Sequence, residues 1–395
     1  METKINNKFI VIIKIVLLLL LTIMVGFSYT NHEYYLEFSR PITIVFIVLF
    51  FLSFNWIRPF NESRFFKTVL CLFLLLCLFL PLLISINLNN NEFSPSGEFR
   101  ELLIPLLSLI IGYNLKLNEK QCILIVMVYA VVILFFVGLK IRTDIGGYVI
   151  SEQSEFVGKN TIGVSMATIG AILIQITYSD QYNSKFKVIA AFGVIVSLLF
   201  LLTMRGRTAT LTLMLIVSFV TFIYMFRHNT PLWLKAILLV IITLILISMF
   251  TSIELLPGVR GYIYDSFYLG KEKDVLSDRG VRNEQALEII DNSPIWGRLS
   301  YYSNVEWVHN YPLLKMSNYG LLGSLPWLLL YVYILVFSIR RVLAKKSFNI
   351  MSFGYIMMWA PYFISMGEPT LPYGPGTVTV FNFVMLGVAV YNDKK

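Results

Sequence analysis

The chain has 395 residues, of which 57% are hydrophobic, 15% aromatic and only 14% charged. So little charge excludes an ordinary soluble domain and points to a polytopic helical membrane protein. The net charge of +9 comes from lysines and arginines spread over many short loops. A cytoplasmic loop bias accounts for that spread better than a nucleic-acid surface does.

A spanning helix needs about 20 apolar residues. On that measure the chain is predicted to be all-α, an integral membrane protein with about twelve spans. They fall at 8–28, 41–57, 67–87, 101–115, 121–140, 161–179, 187–204, 208–226, 233–251, 318–339, 349–366 and 375–391. The first run lacks a small-residue cleavage site and contains Lys14, so it reads as a retained helix rather than a signal peptide. The fourth is short and is interrupted by Pro105. Cys71, Cys77 and Cys122 lie in apolar runs with no CxxC spacing and read as small packed hydrophobes, not as a disulfide framework or a zinc site.

Basic residues in short loops set the orientation. Arg58, Arg64 and Lys67, then Lys116 and Lys120, then Lys185 and Lys187, then Arg227 and Lys235, then Arg340, Arg341, Lys345 and Lys346 fall on one face. With twelve spans that face is the cytoplasm, and both lysine-bearing termini share it. The alternate loops hold most of the acids, among them Glu33, Glu37, Glu92, Glu98, Glu101, Asp144, Glu152 and Glu155. The chain therefore divides into spans one to nine (1–251), a large outer loop (252–317) and spans ten to twelve (318–395).

The outer loop, at about 65 residues, is too long for a connector, and loops of that length are usually functional or disordered. Its aromatics and aliphatics, Tyr262, Phe267, Ile289, Ile290, Trp296 and Trp307 among them, argue for a folded lid. Ser277 or Asp278 is placed to N-cap a helix from Arg279 to about Asp291, and Asn292-Ser293-Pro294 stops it.

Ionisable residues at membrane depth are costly and mark function. Arg205 and Arg207 sit in a very short outer turn between spans seven and eight. They either snorkel to the interface or grip a phosphate in bidentate fashion. Arg279 and Arg282 share one face at the start of the lid helix. The helix dipole gives a cation nothing there, so they either pair with Asp274, Asp278 or Glu284 or meet a bound anion. His32 and His228 read as solvated. His309, between Trp307 and the start of a span, is either structural or a neutral imidazole placed to take a proton from a hydroxyl. The sequence shows no metal-ligand spacing, no Walker loop and no dinucleotide fingerprint. No metal or cofactor is therefore expected, and any reaction has to use a substrate that is already activated.

His309-Asn310, nine residues, Gly320, two residues and Gly323-Ser324 resemble the H-[N/S/Q]-x9-G-x-x-G-[T/S] signature of the O-antigen polymerase and O-antigen ligase superfamily. Arg207-Thr208-Ala209-Thr210-Leu211 is similar to its arginine at the start of an outer-facing span. Arg279, a helix, and Ser293-Pro294-Ile295-Trp296-Gly297 are similar to its loop arginine, helix and proline-glycine turn. Gly158-Lys159-Asn160-Thr161-Ile162-Gly163 resembles the entry to its middle span. The resemblance covers roughly residues 155–330. Leu325 departs from it, since many ligases have glycine at that position.

The resemblance implies a glycosyltransferase in the bacterial cytoplasmic membrane with its active site on the outer face. The donor is a glycan on undecaprenyl diphosphate, and the acceptor is a lipid-linked repeat unit for a polymerase, or lipid A–core or a protein hydroxyl for a ligase. His309 is implied as the base, and Arg207 and Arg279 as stabilisers of the departing diphosphate, which is the charge that grows in the transition state. Arg205, Arg282, Asn310 and Asn160 are implied to support substrate binding. Gly320 and Gly323 are expected to let span ten pack closely against a neighbour. A chain-length regulator is a possible partner, with membrane lipids around the frame. The Lys-Asn entry and the Arg-Thr-Ala turn lean toward a polymerase over a ligase. A flippase for the lipid-linked glycan is the third reading, but it predicts repeats and mid-membrane charges that the sequence does not display.

Overall fold

A computed structural model describes residues 2–28, 32–53, 55, 57–87, 95–146, 159–203, 206–228, 279–299, 308–344, 348–349, 353–368, 372–373 and 379–393. The expected ninth span, the first half of the outer loop and Arg205 lie outside them. The described residues are helical with no strand.

Helices α1 (Glu2–Ser28), α2 (His32–Leu52), α3 (Arg58–Glu62), α4 (Arg64–Asn87), α5 (Pro95–Leu115), α6 (Glu119–Gly146), α7 (Lys159–Tyr178), α8 (Ser184–Thr203) and α9 (Arg207–Arg227) follow one another. Then come α10 (Arg279–Asn292), α11 (Tyr311–Ala344), two short helices α12 (Phe353–Met357) and α13 (Trp359–Ile364), and α14 (Val380–Asn392). Among the described residues four stretches are long and apolar enough to cross a membrane: Glu119–Leu139, Ser184–Leu202, Thr208–Arg227 and Tyr311–Ala344. Helix α8 presents Phe186, Val188, Ile189, Phe192 and Ile195 outward, each more than half exposed. A run of that size is an apolar surface suited to lipid rather than to water.

In the run 349–366, α12 and α13 meet at Met358, whose backbone stays helical at φ −66° and ψ −23°, and together they make one apolar stretch, Phe353–Ile364. The helix in the run 375–391 starts at Val380. Short apolar helices are tolerated at membrane depth where protein encloses them, and here nearly every residue of α12, α13 and α14 is buried. Their backbones are also in contact. A methyl group on Gly354 would lie 2.0 Å from the Met385 carbonyl oxygen, and one on Gly112 would lie 1.9 Å from the Val384 carbonyl oxygen. Conversely, α5 runs unbroken through Pro105, which costs it one rung of the helical ladder.

The sharpest local feature is in α11. Gly320 has φ 62° and ψ −175°, a backbone region that is essentially glycine-only. The helix is broken there into a first segment (311–319) and a second (321–344). The break frees N–H groups that a continuous helix would use, and they are satisfied from outside. Leu321 N–H donates to the Pro294 carbonyl at 2.8 Å, and Leu322 N–H donates to the Ile295 carbonyl at 3.3 Å.

Candidate functional site

The turn after α10 and the break in α11 form one backbone joint. Gly297 has φ 59°, and a methyl group on it would lie 2.4 Å from the Ser317 carbonyl oxygen and 2.5 Å from Gly320 N. One on Gly320 would lie 2.1 Å from the Ile295 carbonyl oxygen. Gly320 does admit a backbone at close range, as the motif suggested. That backbone is the 294–297 turn, however, and not a neighbouring span. Gly323 is buried one turn further on. A close helix–helix approach is made by Gly112 of α5 and Gly387 of α14.

Beside the joint, Ala286 and Ile289 of α10 pack against Val308, with Leu313 and Leu314 around them. Positions 279, 282, 286 and 289 share one helix face, so the face that docks next to His309 carries Arg282 and Arg279 one and two turns back. Arg282 is half-buried. Arg279 is the first described residue of this helix, and its expected caps, Ser277 and Asp278, lie outside the described residues.

His309 stands immediately before α11 and is a quarter exposed. Its Nδ1 is buried and faces Glu368 Oε2 at 3.9 Å. That is an ion-pair distance, longer than a hydrogen bond, and contacts of this kind often tighten only when substrate is bound. Glu368 is 3% exposed. It lies in the connector after α13 and is seated by a set of bonds. Tyr311 N–H donates to the Ser365 carbonyl at 2.9 Å, and Asn310 Nδ2 donates to the Met366 carbonyl at 3.3 Å. The Tyr331 hydroxyl donates to the Tyr362 carbonyl at 2.9 Å and lies 2.8 Å from Ser365 Oγ. Asn310 also caps α11, its Oδ1 accepting from Leu313 N–H at 3.0 Å. The expected substrate contact of Asn310 is thus matched by a structural one: it holds the helix start and the Glu368 connector together.

One turn into α11, Lys315 is 2% exposed. Its Nζ lies 3.0 Å from Glu101 Oε2 of α5 and sits over the rings of Trp327 (4.2 Å), Tyr311 (5.2 Å) and Tyr319 (5.9 Å). The Tyr373 hydroxyl meets that of Tyr362 at 3.2 Å, and its ring lies edge-on to Tyr311. Burial pushes the Tyr373 hydroxyl well above its ordinary range, with Tyr331 and Glu101 adding to the rise, so it stays neutral.

A second pair of motif segments also meets. A methyl group on Gly163, three residues past Asn160, would lie 2.8 Å from the Ala209 Cβ, two residues past Arg207. The starts of α7 and α9 are therefore neighbours, and positions 160 and 207 fall at the same end of the bundle. Gly206 N–H closes the turn before α9 onto the Leu201 carbonyl at 3.0 Å. Between the two clusters, α13 packs on α7 and α9 and leads directly into Ser365–Glu368.

Chemically, a carboxylate at Nδ1 favours the tautomer that leaves Nε2 as the base, and it stabilises the imidazolium formed when a proton is taken up. Glu368, Lys315 and the pairing of Glu101 are the parts that sequence reasoning missed. The signal was present, since Glu368 and Lys315 are ionisable residues flanked by apolar runs, but nothing in the spacing said what they meet. Among the described residues no cluster of three metal-ligating side chains occurs. The chain matches no family model and no curated protein sequence.

Proposed function

We propose that this chain is a membrane glycosyltransferase that moves a glycan from undecaprenyl diphosphate onto a sugar hydroxyl, polymerising O-antigen or other surface-polysaccharide repeat units. The observation that carries the reading is the His309–Glu368 pair, seated beside the docked loop helix on which Arg279 and Arg282 are placed. His309 Nε2 takes the acceptor hydroxyl proton as that oxygen bonds to the anomeric carbon. The bond from that carbon to the diphosphate oxygen breaks on the opposite face, its electron pair leaves with the lipid diphosphate, and the configuration inverts. Arginine guanidiniums at 207 and 279 take up the growing charge, with 205 and 282 supporting them.

The twelve-span reading, with both termini in the bacterial cytoplasm and the site outside, is part of this proposal. It is supported by how polar contacts sort. Arg227 with Val342, Gln175 with Asn349, Tyr113 with Glu62, and Arg341 with Asp393 each join residues assigned to the inner side. Lys315 with Glu101, and His309 with Glu368, join residues assigned to the outer side.

The test uses purified protein in detergent with a synthetic lipid-diphosphate repeat unit as sole substrate. A ladder of longer glycans, absent with His309→Ala at equal protein level, is the expected result. Transfer only after lipid A–core is added makes the protein a ligase, and no transfer to either acceptor overturns the reading.

A further inference from the structure

We infer that Glu101 and Lys315 are positioning residues: their buried ion pair sets the angle at which the first segment of α11 presents His309 to Glu368. The inference rests on the glycosyltransferase reading for its kinetic consequence, but not for its geometry.

The argument begins at Gly320. A continuous helix passes its orientation along its own hydrogen bonds. At φ 62° and ψ −175° that inheritance stops, so segment 311–319 has to be oriented by contacts of its own. At its lower end Gly297 of the 294–297 turn lies against Ser317, while the turn's bonds go to Leu321 and Leu322 of the second segment. The bonds from Asn310 and Tyr311 to Met366 and Ser365 hold its upper end. Both sets lie close to the ends of a short rod, and between them Leu313 and Leu314 pack on α10 without fixing a direction. Lys315, midway along the segment, adds a directed tie by reaching a different helix, α5, through Glu101.

Energetics point the same way. A buried ion pair is rarely the most stable choice for its volume, because desolvating both charges offsets their attraction, and apolar replacements often do as well or better. What a salt bridge adds over an apolar contact is direction. Lys315 is directed from two sides, since the carboxylate fixes Nζ at 3.0 Å and the Trp327 ring lies 4.2 Å from it. Trp327 belongs to the second segment, so the lysine also spans the break. Rotation of segment 311–319 carries His309, two residues outside it, along an arc past Glu368. At 3.9 Å the pair has little slack before the carboxylate no longer orients the imidazole.

The experiment uses the full chain. Two readouts are taken on the double variant E101L/K315M. The first is amide hydrogen exchange at Tyr311, whose N–H donates to the Ser365 carbonyl, and it reports the geometry whatever the activity. The second is steady-state glycan transfer. The expected result is a normally folded protein whose exchange at Tyr311 rises at least threefold. Its kcat is expected to fall about tenfold or more, since small misplacements of reacting groups cost up to about 100-fold, while KM for the donor stays within about twofold. Unchanged exchange with kcat within twofold of the parent overturns the inference, whereas loss of transfer in the parent itself overturns only the proposed function. Should E101L/K315M fail to accumulate, E101D takes its place. It keeps the charge but shortens the reach by one methylene. Exchange at Tyr311 is expected to rise and kcat to fall about threefold with KM unmoved, and no change in either overturns the inference.

Discussion

Substituting Gly320 by alanine tests the joint between the loop and α11. The added Cβ would lie 2.1 Å from the Ile295 carbonyl oxygen, 2.3 Å from the Ile295 carbonyl carbon and 2.4 Å from Trp296 N, where real Cβ contacts do not fall below 3.0 Å. The obstacle is backbone on both sides, so the turn has to retreat by roughly 1 Å or residue 320 has to leave its φ of 62°. In the first case alanine is held in a glycine-only region at a cost of about 1–3 kcal/mol. In both cases the bonds from Leu321 and Leu322 to Pro294 and Ile295 are lost or strained, at about 1 kcal/mol each. A total of about 3–5 kcal/mol is a large share of the 5–15 kcal/mol typical of a folded chain. With an unfolding entropy of about 2.1 cal/mol/K per residue, it lowers Tm by roughly 4–6 °C. Helices that persist in detergent reduce that entropy and enlarge the shift. The assay is thermal unfolding of purified protein in detergent, with limited proteolysis of the loop alongside. Gly138 is the control, because a methyl group there meets nothing within 4 Å and an alanine gains about 1 kcal/mol of helix propensity. A Gly320→Ala protein within 1 °C of the parent, with the same proteolytic pattern, would refute the account of the joint.

Further outcomes follow from the same geometry. Glu368→Gln keeps the shape but removes the charge facing Nδ1, and is expected to lower kcat roughly 10- to 100-fold, the scale of losing the orienting partner of a functional histidine; full activity would reduce His309 to acting alone. Arg279→Lys is expected to lose most transfer because an ammonium cannot grip a diphosphate in bidentate fashion, and wild-type kinetics would remove Arg279 from the diphosphate site. Tyr182→Phe is expected to be neutral or stabilising by about 1 kcal/mol, because the buried hydroxyl has no hydrogen-bond partner and costs more than it returns. Burial, with Glu119 and Cys122 adding to it, pushes that hydroxyl up to about 12. The folded state therefore keeps a proton that the unfolded chain sheds above about 10, and stability falls with rising pH between those values. In Tyr182→Phe that fall is expected to shrink in denaturation midpoints measured across the window, and an unchanged slope would show that other groups cause it.

Part of this arrangement is legible in the sequence. The loop helix over 279–292 stops before Pro294, and His309-Asn310 introduces α11, because caps and proline stops are local signals written in consecutive residues. Where local signals ran out, an expectation missed. Gly320 reads as part of a helix-packing stripe because small residues at that spacing usually are one. The spacing carries no sign of φ, and only the docked turn at 294–297 gives Gly320 its actual role.

The sequence by itself determined that this chain is helical, apolar enough for a membrane and basic overall. Those properties are sums or short-range patterns, and composition and periodicity record them directly. The tertiary structure alone decided that Glu368 faces His309, that Lys315 reaches Glu101 across 214 residues, and that the Pro294 turn seats in the break of α11. Each of these is a meeting of segments far apart in the chain. It is fixed by how buried backbones and charges find partners once the helices pack, and no window along the sequence contains both halves.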